Sequence, residues 1–160
     1  MTADALSARL LRAAAAAGAL AIALAGCAEE APAPRPLGLE ALEPGMCFDL
    51  GEDLATAVVA PDCGWAHDYE AAAVLELEGD AYPGEEALDA QADADCAAAF
   101  AAYTGRVLEA APELRAAYLG PSRESWAEGD RALVCVVASG DGLPRSASAA
   151  DPAASPAPAP

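Results

Sequence analysis

The sequence predicts an α+β fold in which a small mixed or antiparallel sheet packs against one main amphipathic helix and is stapled by two disulfides. Three observations support this prediction. One helical apolar pattern covers residues 85–104, strand patterns lie before and after it, and four cysteines follow a segment typical of an export signal. With 160 residues, the chain has room for one domain and its appendages.

Composition limits both the core and the kinds of partner. Hydrophobic residues make up 55% of the chain, but alanine is their largest part, and only two Phe, two Trp and four Tyr supply large rings. We therefore expect a small core. Eight Arg, no Lys and 26 acidic residues give a formal net charge of -18. Because this charge has the wrong sign for contact with phosphates, we expect no nucleic-acid partner.

Residues 1–26 have the pattern of a lipoprotein signal peptide. Arg9 and Arg12 precede an uncharged apolar run that is shorter than the ~20 residues needed to cross a bilayer. The run ends in Leu24-Ala25-Gly26-Cys27, which resembles the lipobox of bacterial lipoproteins. This resemblance implies cleavage before Cys27 and attachment of acyl chains such as palmitate to that residue. Since two or more acyl chains anchor a protein stably, we expect the mature protein to lie on the outer face of the cell membrane. Ordinary secretion with Cys27 as a free thiol is the alternative.

Two proline-containing segments flank the expected domain. Residues 27–44 comprise the lipidated cysteine and a tether, because their prolines restrict the backbone to extended conformations. Residues 146–160 are rich in Ala, Ser and Pro and are predicted to be a disordered tail. The folded domain is therefore placed at residues 45–145.

A helix is predicted over residues 85–104. Acidic residues fill its first turns, and Gly105 offers a C-terminal stop. Asp95 falls at the edge of the apolar stripe, where we expect it to meet water or an arginine. The apolar residues that recur at steps of three and four are Leu88, Ala92, Cys96, Ala99, Phe100 and Tyr103.

Strand patterns occur on both sides of this helix. Residues 69–77 alternate between apolar side chains and glutamates, which predicts a half-buried strand with Glu70 and Glu76 on its polar face. Residues 132–138 are apolar throughout and rich in β-branched side chains, as in a strand covered on both faces, and they predict the middle of the sheet. Shorter candidates are 46–49, 56–60 and 114–119.

Once Cys27 is assigned to lipid, four cysteines remain in a compartment that favours oxidation: Cys47, Cys63, Cys96 and Cys135. They permit three pairings, and the sequence alone does not select one. We favour Cys47 with Cys63, which closes a local loop, and Cys96 with Cys135, which links the apolar face of the helix to the central strand. A zinc site is the competing interpretation, but the spacing has no CxxC pair. We predict no metal and no other cofactor.

Several short motifs resemble the septum formation family of actinobacteria. They are GMCF at 45–48, VAPDC at 59–63 with His67 after it, AYPG at 81–84, Cys96, and the segment 121–135. The resemblance spans residues 45–145 and is most specific from Ser125 to Cys135, while Ala66 stands where the family often has proline. It implies an envelope protein linked to septum formation and cell division, with many members anchored to the membrane. It implies no defined reaction or ligand.

Candidate catalytic chemistry depends on His67, the single histidine of the chain. None of the serines at 122, 125 and 139 lies in the Gly-x-Ser-x-Gly context of a nucleophile elbow. We therefore assign no catalytic residues and expect His67 to hydrogen-bond within the loop after Cys63, with Asp68 or Glu70 close by. A non-catalytic binding domain is the preferred function, and a cell-envelope hydrolase using His67 is the alternative.

Trp126 and Arg131 complete the possible binding surface together with His67. Trp126 could anchor a partner, but the favoured interpretation is that it folds back over the open end of the sheet, because few large side chains are available to fill it. Arg131 is expected to pair with Asp95 or Asp130. The expected partners are the membrane, through the lipid anchor, and an envelope or division protein or a cell-wall component.

Overall fold

The structure, a computed structural model, describes residues 32–150. The predicted signal peptide, Cys27 and the last ten residues of the predicted tail lie outside the described residues. The strands are β1 (Arg35–Gly38), β2 (Cys47–Leu50), β3 (Thr56–Val59), β4 (Tyr69–Glu76), β5 (Leu114–Leu119) and β6 (Ala132–Ser139). The helices are α1 (Glu85–Thr104) and α2 (Arg123–Ala127), with single 3-10 turns at Leu39–Ala41 and Leu108–Ala110.

The strands form one open antiparallel sheet in the order β1-β3-β2-β4-β6-β5. Helix α1 packs on β4, β5 and β6. The predicted α+β class is therefore confirmed, with an antiparallel sheet and one main helix. The long strands β4 and β6 pair along almost their whole length, and a β-bulge between Ala71 and Ala73 interrupts their register.

Helix α1 has the predicted bounds. It ends at Thr104 and is followed by Gly105, whose φ of 68° lies in the left-handed region that glycine adopts without steric cost. Asp95 is half-buried, and no arginine pairs with it within residues 32–150. The helix buries one side chain per turn against the sheet: Leu88, Ala92, Cys96, Phe100 and Thr104.

Strand β6 is buried on both faces, as its uninterrupted apolar sequence predicts. Leu133 and Val137 pack in clusters with α1, whereas Val134 and Val136 pack with Leu42 on the opposite face. Its predicted position in the middle of the sheet is wrong, because β6 lies one strand from an edge, between β4 and β5. An apolar run indicates that both faces of its strand are buried, but it does not indicate how many other strands lie on either side of that strand in the sheet.

The domain begins earlier than residue 45, within the segment predicted as a tether. Strand β1 pairs with β3, and Leu42 is buried in the same cluster as Phe48. Proline favours an extended backbone and lacks an N–H, so Pro36 fits an edge strand as well as it fits a linker. The far end also extends past residue 145, because Ser148 and Ala149 hydrogen-bond to Glu70.

Both predicted disulfides are present. Cys47 is joined to Cys63 with a Cα–Cα distance of 5.3 Å, and Cys96 is joined to Cys135 with a Cα–Cα distance of 5.0 Å. The first links the start of β2 to the loop before β4, and the second links α1 to β6. Within residues 32–150, no helix is both long enough and apolar enough to cross a membrane.

Candidate functional site

His67 lies in the loop before β4 and is almost fully buried, with 1% of its surface exposed. Its Nδ1 atom is 2.8 Å from the carbonyl oxygen of Trp65, and its main chain forms an antiparallel bridge with Arg145. Its Nε2 atom has no hydrogen-bond partner among the described residues. The expected hydrogen bond within the loop is found, but it goes to a carbonyl group. The main-chain N–H of Asp68, which was expected close by, donates to the Asp49 carboxylate over 2.7 Å.

Glu70, the second residue of β4, is a buried carboxylate that the alternating pattern placed on a polar face. It is 1% exposed, because the β-bulge between Ala71 and Ala73 places it beside Val137 on the face that α1 covers. Glu76 pairs with Ala132 on the opposite face and is exposed, as predicted. The Tyr103 hydroxyl donates to its Oε1 atom over 2.5 Å, and the Ala149 N–H donates to its Oε2 atom over 2.6 Å. The Ser148 hydroxyl also donates to Oε1. We call Glu70, Tyr103, Ser148 and Ala149 the Glu70 cluster.

The donors of the Glu70 cluster are neutral groups. Burial, and then the hydrogen bond to Glu70, raise the pKa of Tyr103 well above its usual range, so its hydroxyl stays protonated and donates at neutral pH. Within residues 32–150, the salt bridge present is the exposed pair Arg106 and Glu113, which lies outside this cluster. A buried carboxylate held only by neutral donors depends on each of them for its solvation.

The Cys47–Cys63 disulfide lies beside the Glu70 cluster. The Cys63 Sγ atom is 4.0 Å from Glu70 Oε1, and these three side chains are the described residues whose ligand atoms lie close enough together to hold a metal ion. The two sulfur atoms are bonded to each other, so this arrangement does not supply the thiolates that a zinc site requires. The two cysteines of this group are therefore the predicted Cys47–Cys63 disulfide, and they are not free to act as metal ligands.

Trp126 lies on α2 and is 4% exposed, packed against Leu77 and Leu133. Helix α2 begins after Ser122, whose hydroxyl accepts from the Ser125 N–H in a capping box. The indole Nε1 donates to the Asp80 carbonyl oxygen over 3.3 Å. The structure therefore agrees with the favoured interpretation, in which Trp126 covers the end of the sheet.

Arg131 stacks on Trp126 instead of pairing with a carboxylate. Its Cζ atom is 3.8 Å from the centre of the indole ring, and its Nη1 donates to the carbonyl oxygens of Trp126 and Asp130 over 2.8 Å each. The expected ion pair with Asp95 or Asp130 is not formed. The Asp130 carboxylate instead accepts from the Ser125 hydroxyl and the Ala132 N–H, which fixes the turn into β6.

The three predicted surface residues are not brought together. His67 precedes the first residue of β4, whereas Trp126 and Arg131 lie near Leu77, just beyond the last residue of that strand. They therefore mark opposite ends of the sheet. Large exposed apolar side chains instead lie in the connections at the end of the sheet near His67. At this end β4 and β5 begin, and β2 and β6 end. We call these residues the apolar rim: Leu54, Trp65, Val107, Leu108 and Leu143.

These features define a small disulfide-linked α+β domain with one buried carboxylate cluster and an exposed apolar rim. The septum formation family model matches residues 37–135, so the chain belongs to the septum formation family. This membership supports a septum-related role and confirms the resemblance seen in the sequence. No curated protein and no solved structure matches the chain.

Proposed function

We propose that the protein is a lipid-anchored, outward-facing envelope protein whose domain binds a protein or cell-wall component in septum formation without catalysing a reaction. Burial of His67 is the observation that carries the choice between binding and catalysis. A hydrolase would need this imidazole in an open site, within hydrogen-bond reach of a nucleophile and an acid. Its Nδ1 atom contacts a main-chain carbonyl, and its Nε2 atom meets no donor or acceptor in the described part of the chain.

The apolar rim supports a binding role. Leu54 is 68% exposed and has a φ of 57°, a left-handed conformation that costs a residue with a side chain roughly 1–2 kcal/mol. Leu143 is 65% exposed in the connection that follows β6. Exposed apolar side chains gathered at one end of a domain are typical of an interaction surface. Because the chain is strongly acidic, a partner with basic groups around an apolar segment would complement it.

Changes in the apolar rim are expected to remove the partner while leaving the fold intact. In crosslinking and affinity capture from intact cells, the double variant Trp65→Ser, Leu143→Ser should recover at least tenfold less partner than the wild type, because buried apolar anchors dominate binding energy. Val58→Thr is the matched control, since Val58 is an exposed apolar residue on strand β3. His67→Asn should also leave recovery unchanged, because its amide can still donate to the Trp65 carbonyl.

The hydrolase alternative is tested on the same variants. If the purified wild type cleaves a cell-wall or ester substrate and His67→Asn abolishes that cleavage, the proposal of a non-catalytic domain is wrong. If the rim variant recovers as much partner as Val58→Thr, the assignment of the rim is wrong. Circular dichroism of each purified variant shows whether the fold is retained.

Lipid anchoring at Cys27 is tested by changing the proposed acceptor. Cys27→Ala should either release the protein from the membrane fraction or leave its signal peptide uncleaved, because the acyl chains that anchor it and precede cleavage have no attachment site. The intact mass of the mature wild type should show an acylated cysteine as its first residue. Ala28→Ser is the matched control and should keep both the mass increment and the membrane location. A mature protein without an acyl group would contradict the proposal.

A further inference from the structure

Residues 145–150 cross the surface above Glu70 as a strap whose backbone bends at Ser146 and Ala147. Its main chain begins with two hydrogen bonds between Arg145 and His67, over 2.9 and 2.8 Å. Ser148 and Ala149 then donate to the Glu70 carboxylate. The Ala149 methyl group packs on the cluster that contains Phe100 and Leu114. The strap is therefore held by its main chain, one hydroxyl and one methyl group.

The strap and the surface beneath it belong to different parts of the chain. Glu70, Tyr103 and Phe100 lie within residues 37–135, which the septum formation family model matches, whereas the strap lies beyond them. Without the strap, the Glu70 carboxylate would keep only the Tyr103 hydroxyl as a hydrogen-bond donor among the described residues. A carboxylate that loses two of its three donors while still beside a buried apolar cluster is a strong acceptor for new donors.

We propose that the surface over Glu70 is a binding site for a short peptide with small side chains, and that residues 145–150 occupy it in cis. The peptide would pair its main chain with His67, give an N–H and a hydroxyl to Glu70, and place a methyl group against Phe100. Peptides rich in alanine and serine meet these requirements, as the strap itself does. This proposal deepens the binding function and rests on the domain being a binding module.

The test separates the strap from its site in the full-length protein. The double variant Ser148→Ala, Ala149→Pro removes both strap donors to Glu70, because alanine lacks the hydroxyl and proline lacks the N–H. Ser146→Ala is the matched control, since no hydrogen bond of the Ser146 side chain is found within residues 32–150. The probe is a fluorescent synthetic peptide with the sequence of residues 144–151, and binding is read as fluorescence anisotropy.

The released variant is expected to bind the peptide saturably, with a Kd at least tenfold lower than that of the wild type or Ser146→Ala. The strap competes in these two proteins at an effective concentration on the order of millimolar. Adding Glu70→Gln to the released variant should abolish binding. Equal binding by all proteins, or binding that ignores Glu70→Gln, would overturn the proposal.

A second measurement uses the wild type, so the proposal stays testable if the released variant does not fold. Hydrogen exchange should show protection of the Arg145 and Ala149 amides, and excess peptide should accelerate their exchange as it displaces the strap. Unchanged exchange at saturating peptide would overturn the proposal. Partner recovery through the apolar rim is measured separately. If the peptide tests fail while partner recovery is normal, the peptide site is wrong and the proposed function still stands.

Discussion

Removal of the Cys96–Cys135 disulfide by changing both cysteines to alanine is expected to lower the free energy of unfolding by about 4 kcal/mol. The two residues are 39 positions apart, and a cross-link over a loop of that length restricts the unfolded chain by about this amount. The total free energy of unfolding of a small domain is only ~5–15 kcal/mol. Within residues 32–150, alanine is the commonest residue of the core, and only Phe48, Phe100 and Trp126 supply buried rings to it, so few large side chains can compensate for the loss. Urea unfolding followed by circular dichroism measures the change.

The Cys47–Cys63 disulfide provides the matched comparison. Its cysteines are 16 positions apart, so the corresponding double alanine variant should lose about 3 kcal/mol, roughly 0.8 kcal/mol less than the first variant. Reduction of the wild type should reproduce the sum of the two losses if the sites act independently. A Cys96→Ala, Cys135→Ala variant within 0.5 kcal/mol of the wild type, a margin typical of surface changes, would contradict the prediction.

The sequence predicted the parts of the fold that local patterns determine. Helix α1 has the predicted bounds because a long apolar periodicity is followed by Gly105, which stops the helix. The favoured cysteine pairing depends on that same periodicity. Cys96 lies on the buried stripe of α1, and Cys135 lies on the β6 face that packs against it. Two residues on facing apolar surfaces are close once the core forms, so the pairing agrees with the packing.

Features that depend on distant contacts were not predicted. A glutamate in an alternating strand is normally solvated, and nothing near Glu70 in the sequence shows that α1 and the strap will cover it. The available signal was Tyr103, which lies on the apolar stripe that the sequence predicts for α1 and whose hydroxyl therefore needs a hydrogen-bond partner. Likewise, only the sheet order reveals that His67 and Trp126 lie at opposite ends of β4.

The role of Trp126 depends on that placement, and its truncation tests whether the indole belongs to the core. Trp126→Ala is expected to lower the free energy of unfolding by about 3–5 kcal/mol, because it leaves a cavity beside Leu77 and Leu133. It also removes the ring on which Arg131 stacks and the hydrogen bond to the Asp80 carbonyl oxygen. Urea unfolding with circular dichroism detection measures the loss without relying on tryptophan fluorescence.

Trp126→Phe is the control with a smaller loss of packing. Phenylalanine keeps one of the two indole rings but not the indole N–H, so this variant should lose less than Trp126→Ala, about 1–3 kcal/mol from a smaller cavity and one lost hydrogen bond. A residue that served as an exposed partner anchor would behave differently, since its truncation would leave stability unchanged and abolish partner recovery. Because Trp126 is 4% exposed, we expect the opposite result. Trp126→Ala should lose stability, and the amount of partner that it recovers should fall only in proportion to the fraction of the protein that is unfolded.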